Sequence, residues 1–387
     1  MRTSAPLAPN AAPERTLLRL ALYFGKLGAW GFGGPIALCG YMHRDLVAGR
    51  RWYSEDQYRQ GLAIAQTMPG PLAAQLAMWL GYLERGALGA LVVTLPFVVP
   101  SFLLATALAV IYAEYQGLDL MAGLLFGIGP AVISIVAIAA WRLAGATNGR
   151  DPVLWTVAAV VATTTALSGA EIVWVFLAAC LFGTVYYGGG LPRSRGAFSF
   201  LPLLAVSGFS WSAPAPLLAL AFFFVEASAF TFGSGLAIVP FLHDGLVTSR
   251  GWLSEQQFTD AVAVGLITPG PVVIMATFAG YLIAGVVGAV IATVAVFLPV
   301  YLFVVVPGRF FRRYEHHPRL RGFVTGATAA AAGAIAGAAT VIGRQTINST
   351  TAGVIALAAL LLLVQPRLRI PEPLVIVAAG AVGVLLH

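Results

Sequence analysis

The sequence predicts an all-α polytopic membrane protein made of two homologous halves, and three observations support this class. Hydrophobic residues make up 59% of the 387 positions, charged residues only 10%, and the mean hydropathy is +0.88. Apolar stretches of the length that crosses a bilayer, about 20 residues, recur from Leu17 to Leu386. A long internal repeat divides these stretches into two series. Because soluble domains carry far more charge, the composition excludes a soluble fold.

The apolar segments form two series that match in number and order, and we count 12 to 13 segments in all. They cover 17–41, 61–83, 86–112, 118–142, 152–167 and 170–187, then 214–242, 261–284, 285–306, 323–342, 351–364 and 373–386. A shorter apolar piece at 197–212 lies between the series and is a candidate extra crossing. We therefore expect an N-terminal half at 14–187, a linker at 188–213 and a C-terminal half at 214–387.

The repeat is literal at a shift of 200 residues. The matched pairs include Phe32-Gly33 with Phe232-Gly233, His43 with His243, Arg50 with Arg250, Trp52 with Trp252, Ser54-Glu55 with Ser254-Glu255 and Pro69-Gly70-Pro71 with Pro269-Gly270-Pro271. Internal repeats of this size are a recurring plan of secondary transporters, in which the two repeats commonly have opposite orientations and broken or re-entrant helices. Such inverted-topology repeats are the architecture that we expect here.

Loop charges also predict inverted halves. The loop at 113–119 holds two acidic residues and no Lys or Arg, whereas its counterpart at 307–322 holds five Arg residues. Because basic loops face the cytoplasm, the first loop is expected outside and the second inside. One loop argues the other way: with every apolar segment counted as a crossing, 42–60 falls outside although it carries four Arg residues.

Two proline-glycine-proline steps interrupt apolar runs of membrane length, at Pro69-Gly70-Pro71 and Pro269-Gly270-Pro271. Pro lacks an amide hydrogen and Gly allows unusual backbone angles, so each run is expected to split into two half-helices. Such a joint is tolerated at membrane depth only where it is buried in protein or lines a water-filled cavity. The N–H groups that open the second half-helix favour an anion. For one such step alone a packing kink is the favoured explanation, because Pro is frequent in membrane helices, but two steps in register favour a binding site.

A second pair of breaks occurs at Gly31-Phe32-Gly33-Gly34-Pro35 and Thr231-Phe232-Gly233-Ser234-Gly235. Clustered glycines permit either close helix packing or an exposed backbone. Two breaks in each half are typical of the crossed discontinuous helices that form a midplane substrate site. Candidate hydrogen-bond donors beside the breaks are Thr67, Gln75, Thr231, Ser234 and Thr268. Membrane-buried Ser and Thr, however, commonly bond to their own helix.

Lys26 and Glu226 are charged residues inside apolar segments, and they occupy equivalent repeat positions with opposite signs. A charge at the centre of a membrane helix costs roughly 2.5–3.5 kcal/mol on insertion scales, so each needs a reason. We interpret Lys26 as an attractor for an anion and Glu226 as its partner or as a protonatable coupling group. The simpler alternative for Lys26 is a side chain that extends to the membrane interface.

The remaining polar residues predict no catalytic or metal chemistry. The sequence contains no phosphate-binding lysine loop, zinc motif or nucleophile elbow, so we expect no catalytic residue, no cofactor and no metal site. Cys39 and Cys180 lie in apolar surroundings and are interpreted as small buried hydrophobes. The net charge of +7 is ascribed to cytoplasmic loops rather than to nucleic-acid binding. The matching loops with His43 and His243 are interpreted as interfacial anchors or gates, with Ser54-Glu55 and Ser254-Glu255 as starts of short helices.

Taken together, these motifs resemble the chromate ion transporter (CHR) family, in its long-chain two-half form. The shared elements are Phe32-Gly33-Gly34-Pro35, Pro69-Gly70-Pro71, Phe232-Gly233-Ser234-Gly235 and Thr268-Pro269-Gly270-Pro271-Val272. The resemblance implies a multi-pass carrier of the bacterial inner membrane that expels chromate, with sulfate as a related dianion and the proton gradient as the energy source. It also implies halves of opposite orientation. Glu226 departs from the family, in which a lysine is expected at that position.

The candidate substrate site combines the four breaks with the two charges. Its members are Lys26, Gly33, Gly34, Pro35, Thr67, Pro69, Gly70, Pro71, Glu226, Thr231, Gly233, Ser234, Gly235, Thr268, Pro269, Gly270 and Pro271. The expected partners are an inorganic oxyanion, protons, the lipid bilayer and, as a candidate, a second copy of the chain. An anion channel or a carrier for another inorganic anion remains the alternative, and a membrane enzyme is disfavoured.

Overall fold

The computed structural model describes residues 16–32, 34–115, 119–168, 173–189, 216–232, 235–309, 317–365 and 370–386. Within them the chain forms fourteen α-helices, seven in each half, which confirms the all-α class. In the first half these are α1 (Leu17–Trp30), α2 (Gly34–Met42), α3 (Glu55–Thr67), α4 (Leu72–Tyr115), α5 (Asp119–Asn148), α6 (Pro152–Ser168) and α7 (Val173–Tyr186). In the second half they are α8 (Pro216–Ala229), α9 (Val239–His243), α10 (Glu255–Ile267), α11 (Met275–Val305), α12 (Pro318–Thr346), α13 (Thr350–Val364) and α14 (Glu372–Leu386).

Short helical turns extend several of these helices, and the π-helical turns among them occur in both halves. A π-helical turn follows α2 at His43–Gly49, and another follows α9 at Asp244–Ser249. Turns of 3-10 helix precede α9 at Gly235–Ile238 and α11 at Val272–Ile274. Among the described residues, four helices or helix runs are long and apolar enough to cross a membrane: Leu72–Tyr115, Ala122–Asn148, Val272–Val305 and Pro318–Thr346. Shorter apolar helices surround them, as expected of a multi-pass membrane protein.

The long helices α4 and α11 each contain a reversal of the chain. In α4 the backbone leaves helical angles at Arg85 and Gly86, where Gly86 has a φ of 56°. Gly81 and Gly89, on either side of the reversal, touch backbone to backbone, so α4 is two antiparallel limbs, 72–84 and 87–115. The same break occurs in α11 at Ala284 and Gly285, with Gly280 against Gly288. Glycine at both contacts lets the two limbs approach closely.

Each half begins with two helical hairpins. Hairpin 1 joins α1 to 34–49, and hairpin 2 joins α3 to 72–84; their repeat partners are hairpin 3, α8 with 235–249, and hairpin 4, α10 with 275–283. Contacts between limbs establish the pairing. In hairpin 1 the Tyr23 hydroxyl donates to Asp45 Oδ2 at 3.3 Å. In hairpin 2 Trp79 Nε1 donates to the carbonyl of Gln57 at 3.2 Å.

The second half repeats these hairpin contacts with different side chains. Gly245 lies against the ring of Phe223 in hairpin 3, and Gly265 lies against Met275 in hairpin 4. Both second hairpins start at a capping box, in which Ser54 or Ser254 exchanges hydrogen bonds with the residue three positions later. The prediction that short helices start at these serines is therefore confirmed.

The helices after the hairpins are exchanged between halves. α5 packs against α13 and α14 of the second half, while α12 packs against α6 and α7 of the first. Small residues mediate these contacts, with Gly127 against the backbone of Ala379 and Gly183 against that of Gly322. Close backbone approach of this kind drives helix association in membranes. The long limbs of α4 and α11 pack against each other in the middle.

The hairpins change the position expected for the loop at 42–60. The apolar segments 17–41 and 61–83 each turn back at their break instead of continuing as one helix, because the glycines and prolines there permit a reversal. The turn at Gly308 consequently lies against the ring of Tyr82, and the Tyr301 hydroxyl donates to the carbonyl of Ala87 at 2.9 Å. Loop 42–60 and the turn at 307–309 therefore lie at the same end of the bundle. The expected linker crossing at 197–212 lies outside the described residues.

Candidate functional site

The tips of the four hairpins meet crosswise between the two halves. The amide of Gly70, at the tip of hairpin 2, donates to the carbonyl of Thr231 at the tip of hairpin 3 over 2.5 Å. The amide of Gly270, at the tip of hairpin 4, donates to the carbonyl of Gly31 at the tip of hairpin 1 over 3.0 Å. The two bonds are equivalent under the repeat. The tips of hairpins 3 and 4 also touch, since a Cβ on Gly235 would lie 3.6 Å from Val272 Cβ. All four sequence breaks are thus joined at one place, which we call the tip junction.

Glycine is required at the centre of each proline-glycine-proline tip for two reasons. Gly70 and Gly270 have φ angles of +135° and +91°, which side chains with a Cβ rarely adopt. A Cβ at Gly270 would also clash with the hydroxyl of Ser101, and one at Gly70 would lie 2.8 Å from Gln75 Nε2 and 3.1 Å from Val300 Cγ1. The tips are therefore packed against the long limbs of α4 and α11 without space for a methyl group.

Most backbone carbonyls at the tip junction already accept hydrogen bonds from the protein. Besides Gly31 and Thr231, the carbonyl of Pro269 accepts from Ser101 Oγ at 2.7 Å, and that of Pro69 accepts from Gln75 Nε2 at 2.6 Å. Ser101 also lies 3.3 Å from the carbonyl of Gly28. The carbonyl groups at the C-terminal ends of the helices that lead into the tips are in this way satisfied by hydrogen-bond donors.

The threonines proposed as ligand donors also direct their hydroxyl hydrogens into their own helices. Thr67 Oγ1 donates to the carbonyl of Ala63 at 2.8 Å, Thr231 Oγ1 to that of Ala227 at 2.9 Å, and Thr268 Oγ1 to that of Val264 at 2.8 Å. A hydroxyl carries one hydrogen. In this arrangement the three side chains therefore stabilise helix ends and offer a bound molecule only their oxygen lone pairs.

The free donors at the tip junction are backbone amides at the start of the outgoing limbs. In hairpin 2 the first hydrogen bond after the tip runs from the Gln75 amide to the Pro71 carbonyl, so the amides of 72–74 precede it. In hairpin 4 the first runs from Ile274 to Pro271, which leaves 272 and 273. Such amides lie at the positive ends of helix dipoles. Unpaired amides of this kind at a helix N-terminus favour an anion.

The remaining break residues are also at the tips where the structure describes them. Gly34 and Pro35 open α2, and Gly235 opens the turn before α9. Pro71, Pro269 and Pro271 are buried at the junction, whereas Pro69 is half-buried. Gly33, Gly233 and Ser234 lie outside the described residues.

Lys26 and Glu226 lie about one helical turn before their tips, but their side chains are not part of the junction contacts. Lys26 is exposed and shares one face of α1 with Leu22 and Trp30, which are 65% and 75% exposed. Glu226 is half-buried on the equivalent face of α8, where Phe222 is 47% exposed. The structure therefore brings the four breaks together and leaves the two charges on the outer faces of α1 and α8.

Two polar contacts between the halves were missed by the sequence analysis, one at the tip junction and one about ten residues before it in α10. Ser101 lies in an apolar run and gives no local signal until the tip of hairpin 4 is packed against it. Asp260 is 2% exposed, accepts from the Tyr112 hydroxyl at 2.9 Å and from Gln256 Nε2 at 3.0 Å, and so links hairpin 4 to α4 of the other half. An aspartate among the apolar residues of α10 was the available signal.

The loops that precede α3 and α10 are held by equivalent ion pairs. His43 Nε2 lies 2.9 Å from Glu55 Oε2, and His243 Nε2 lies 2.8 Å from Glu255 Oε2. The hydrogen bond from His43 lowers the pKa of the Glu55 carboxyl. The histidine is 40% exposed in the first half and 4% exposed in the second. The loops are thus anchored alike but covered differently.

The described residues contain no group of three or more His, Cys, Asp or Glu side chains placed to hold a metal ion. Cys39 and Cys180 are buried and unpaired as thiols, as expected of small apolar residues.

The fold and the tip junction define a multi-pass membrane protein with duplicated halves, of the kind that moves solutes across a bilayer. A comparison of the sequence with family models matches the chromate transporter family twice, over residues 18–184 and 218–384. The chain therefore belongs to the chromate transporter family, and the resemblance inferred from its motifs is confirmed.

Individual relatives agree with this assignment along the whole chain. A chromate transport protein of Cupriavidus metallidurans is 44% identical over 100% of this chain and 97% of its own length. A probable chromate transport protein of Synechococcus elongatus is 47% identical over 96% of both chains, and a chromate transport protein of Pseudomonas aeruginosa is 32% identical over 97% and 93%. All three are named as transport proteins rather than enzymes. No solved structure matches the chain.

Proposed function

We propose that this protein is a secondary transporter that moves chromate out of the bacterial cell across the inner membrane. The observation that carries the proposal is the tip junction, where hydrogen bonds cross between the halves and backbone amides stay open. A tetrahedral dianion suits such a site because amides hold it without a fixed positive charge that would prevent release. Sulfate has the same shape and charge and is proposed as a second substrate. Family membership supports chromate as the cargo.

The proposed binding residues are the tip residues of all four hairpins, with Lys26 and Glu226 acting from one turn away. The amides that follow Pro71 and Pro271 are the direct donors in this proposal. Lys26 raises the local concentration of the anion through its field, which extends about 8–10 Å at physiological salt. The tip threonines position the backbone.

We further propose that the two halves have opposite orientations in the membrane, with the arginine-rich end in the cytoplasm. Exposed arginines at the end defined by loop 42–60 and Gly308 are Arg44, Arg50, Arg51, Arg59, Arg85, Arg150 and Arg321. The opposite end, where α4 finishes and hairpins 3 and 4 begin, has Glu114, Asp244 and Glu255 beside Arg250 and Arg344. The positive-inside tendency supports this orientation. Loop 42–60, whose charge opposed inversion when every segment counted as a crossing, supports it once the hairpins are recognised.

Transport is proposed to be coupled to protons through a carboxylate in the hairpins. Glu226 in α8 is the sequence-based candidate, and Asp260 in α10 is a second one that bridges the halves. A carboxylate in an apolar setting favours its protonated form. Proton binding on one side of the membrane and release on the other would then bias the movement of hairpins 3 and 4.

Chromate uptake into proteoliposomes tests the proposed function. Uptake is measured with the interior alkaline and, separately, acidic relative to the bath. In one of these two pH gradients we expect chromate to accumulate inside above its external concentration. Accumulation should stop when an ionophore collapses the pH gradient. Sulfate should compete. An anion channel, the alternative, would equilibrate chromate and never accumulate it under a pH gradient at zero membrane potential. Absence of chromate movement in every gradient would contradict the proposed function itself.

A further inference from the structure

The helices α3 and α10 are repeat partners, yet the structure covers one and exposes the other. Every residue of α10 from Phe258 to Leu266 is buried. In α3 the equivalent positions include the exposed residues Arg59 and Gln66, and only Tyr58, Gly61, Ile64 and Ala65 are buried. The repeat is therefore broken in how these two helices are covered, although the hairpins that contain them are built alike.

The exposed face of α3 is polar from the loop to the tip junction. Residues at helical spacing along it are Asp56, Arg59, Gln60, Ala63, Gln66 and Thr67. The same positions in α10 hold Gln256, Thr259, Asp260, Ala263, Leu266 and Ile267. Gln66 lies eleven residues after Glu55, which corresponds to a depth of about 16 Å along the helix. An exposed amide at that depth is costly in lipid, because no lipid tail replaces its hydrogen bonds.

The contacts around each helix explain the difference in cover. Phe258 and Val262 of α10 face Val132 and Val136 of α5, and Asp260 is tied to Tyr112. On α3 the Arg59 side chain is 72% exposed and bonds only back to Glu55, at 3.2 Å. The path along α3 ends at Pro69, which is half-buried, whereas Pro269 is buried. The tip junction is thus approached along α3 and closed along α10.

We propose that the polar face of α3 lines a water-filled entrance by which the oxyanion reaches the tip junction from the arginine-rich end. This inference rests on the proposed function and adds a route and the residue Gln66 to it. Near the mouth Arg59 is paired with Glu55 and lies close to Asp56, so the attraction for the dianion comes from the exposed Arg50, Arg51 and Arg85 at the same end. The Gln66 side chain contacts the dianion one helical turn before the tip of hairpin 2. The equivalent route along α10 in the second half is closed in this structure.

Cysteine accessibility at Gln66 and its repeat partner Leu266 tests the entrance. In a chain with Cys39→Ala and Cys180→Ala, we expect Gln66→Cys to react with a sulfonate-bearing methanethiosulfonate about tenfold faster than Leu266→Cys, because thiol reactivity follows exposure. The reaction should occur in inside-out vesicles and not in right-side-out ones. Sulfate, a dianion that does not oxidise thiols, should slow it.

The labelling experiment has outcomes that oppose the proposal and separate it from the proposed function. Equal rates at the two positions, or reaction of Gln66→Cys with a lipid-soluble maleimide alone, would place this face of α3 against protein or lipid and overturn the entrance. Rapid labelling that sulfate leaves unchanged would overturn its role in the anion path. Ala63→Cys on the same face gives a second reading if Gln66→Cys is poorly inserted. A chain that transports chromate yet fails these tests would leave the proposed function standing and remove only the entrance.

Discussion

Alanine at Gly70 or Gly270 is expected to abolish most chromate transport while leaving the protein inserted and helical. Both glycines have positive φ angles, and a Cβ at either one meets Ser101, Gln75 or Val300 of the opposing packing surface. Strained backbone angles of this kind cost roughly 1–3 kcal/mol, which is a factor of about 5–150 in the population of the correct tip geometry. Initial rates of chromate uptake into proteoliposomes measure the loss.

Gly86 and Gly285 provide the matched controls for the tip glycines. They have φ angles of +56° and +60°, and nothing lies within 4 Å of a Cβ built on either. Alanine there imposes similar strain at the outer turns of α4 and α11 but leaves the tip junction intact. We expect transport to be kept in both controls. Equal loss of transport in Gly70→Ala and Gly86→Ala would show that backbone strain anywhere in these helices is sufficient to stop transport. That result would contradict a specific role for the tip junction.

Neutralising Asp260 is expected to uncouple transport from the pH gradient. Asp260→Asn keeps one oxygen, which accepts from the Tyr112 hydroxyl, while its NH2 group replaces the oxygen that accepts from Gln256 within α10. The link between hairpin 4 and α4 is therefore retained while the titratable group is lost. We expect accumulation of chromate driven by a pH gradient to fall by about tenfold or more. Exchange of internal for external chromate, which needs no net proton movement, should continue. Both rates are measured in the same proteoliposomes.

Asp56→Asn is the control for Asp260, because it removes an exposed carboxylate from the repeat-partner helix. It should leave coupling unchanged. Glu226→Gln is measured beside it, since Glu226 is the other candidate coupling group. If Asp260→Asn retains full accumulation and Glu226→Gln abolishes it, the coupling carboxylate is Glu226 and the contact with Tyr112 is structural.

The two-half plan, the helical class and the positions of the breaks could be predicted from the sequence because each has a local physical cause. Proline and glycine at 69–71 and 269–271 prevent a continuous helix whatever surrounds them. The literal repeat then shows that both copies are constrained alike. The capping boxes at Ser54 and Ser254 are equally local, since donor and acceptor lie three residues apart.

The direction of the chain after each break depends on tertiary packing and could not be predicted. A helix interrupted at 31–34 either continues across the membrane or turns back, and the local sequence is compatible with both. The choice is made by contacts such as Tyr23 with Asp45, which are 22 residues apart. The reversal of the chain at 31–34 sets the end of the bundle at which loop 42–60 lies. The charge of this loop therefore disagreed with a count in which every apolar segment crosses the membrane.

The partners of the tips also lie beyond the reach of local sequence. Ser101 bonds to Pro269 across 168 positions, and Tyr112 bonds to Asp260 across 148. Residue type alone was misleading at Thr67 and Thr268. Their hydroxyls suggest ligand donors, but each one donates to a carbonyl four residues earlier in its own helix. The side-chain direction, not the residue type, decides which groups remain for an anion.

The packing of the hairpin tips against the other half is the centre of this account, and a disulfide between Ser101→Cys in α4 and Gly270→Cys in the tip of hairpin 4 measures it directly. A Cβ at position 270 lies 3.5 Å from the Cβ of Ser101, which falls within the range of disulfide geometry, about 3.5–4.5 Å. The chain would lack Cys39 and Cys180 and carry a protease site within 190–215. After oxidation and cleavage we predict that the two halves stay joined on a denaturing gel and separate on reduction, whereas Ser101→Cys with Gly285→Cys separates in both conditions. Halves that separate under oxidising conditions with the 101–270 pair would contradict the tip junction.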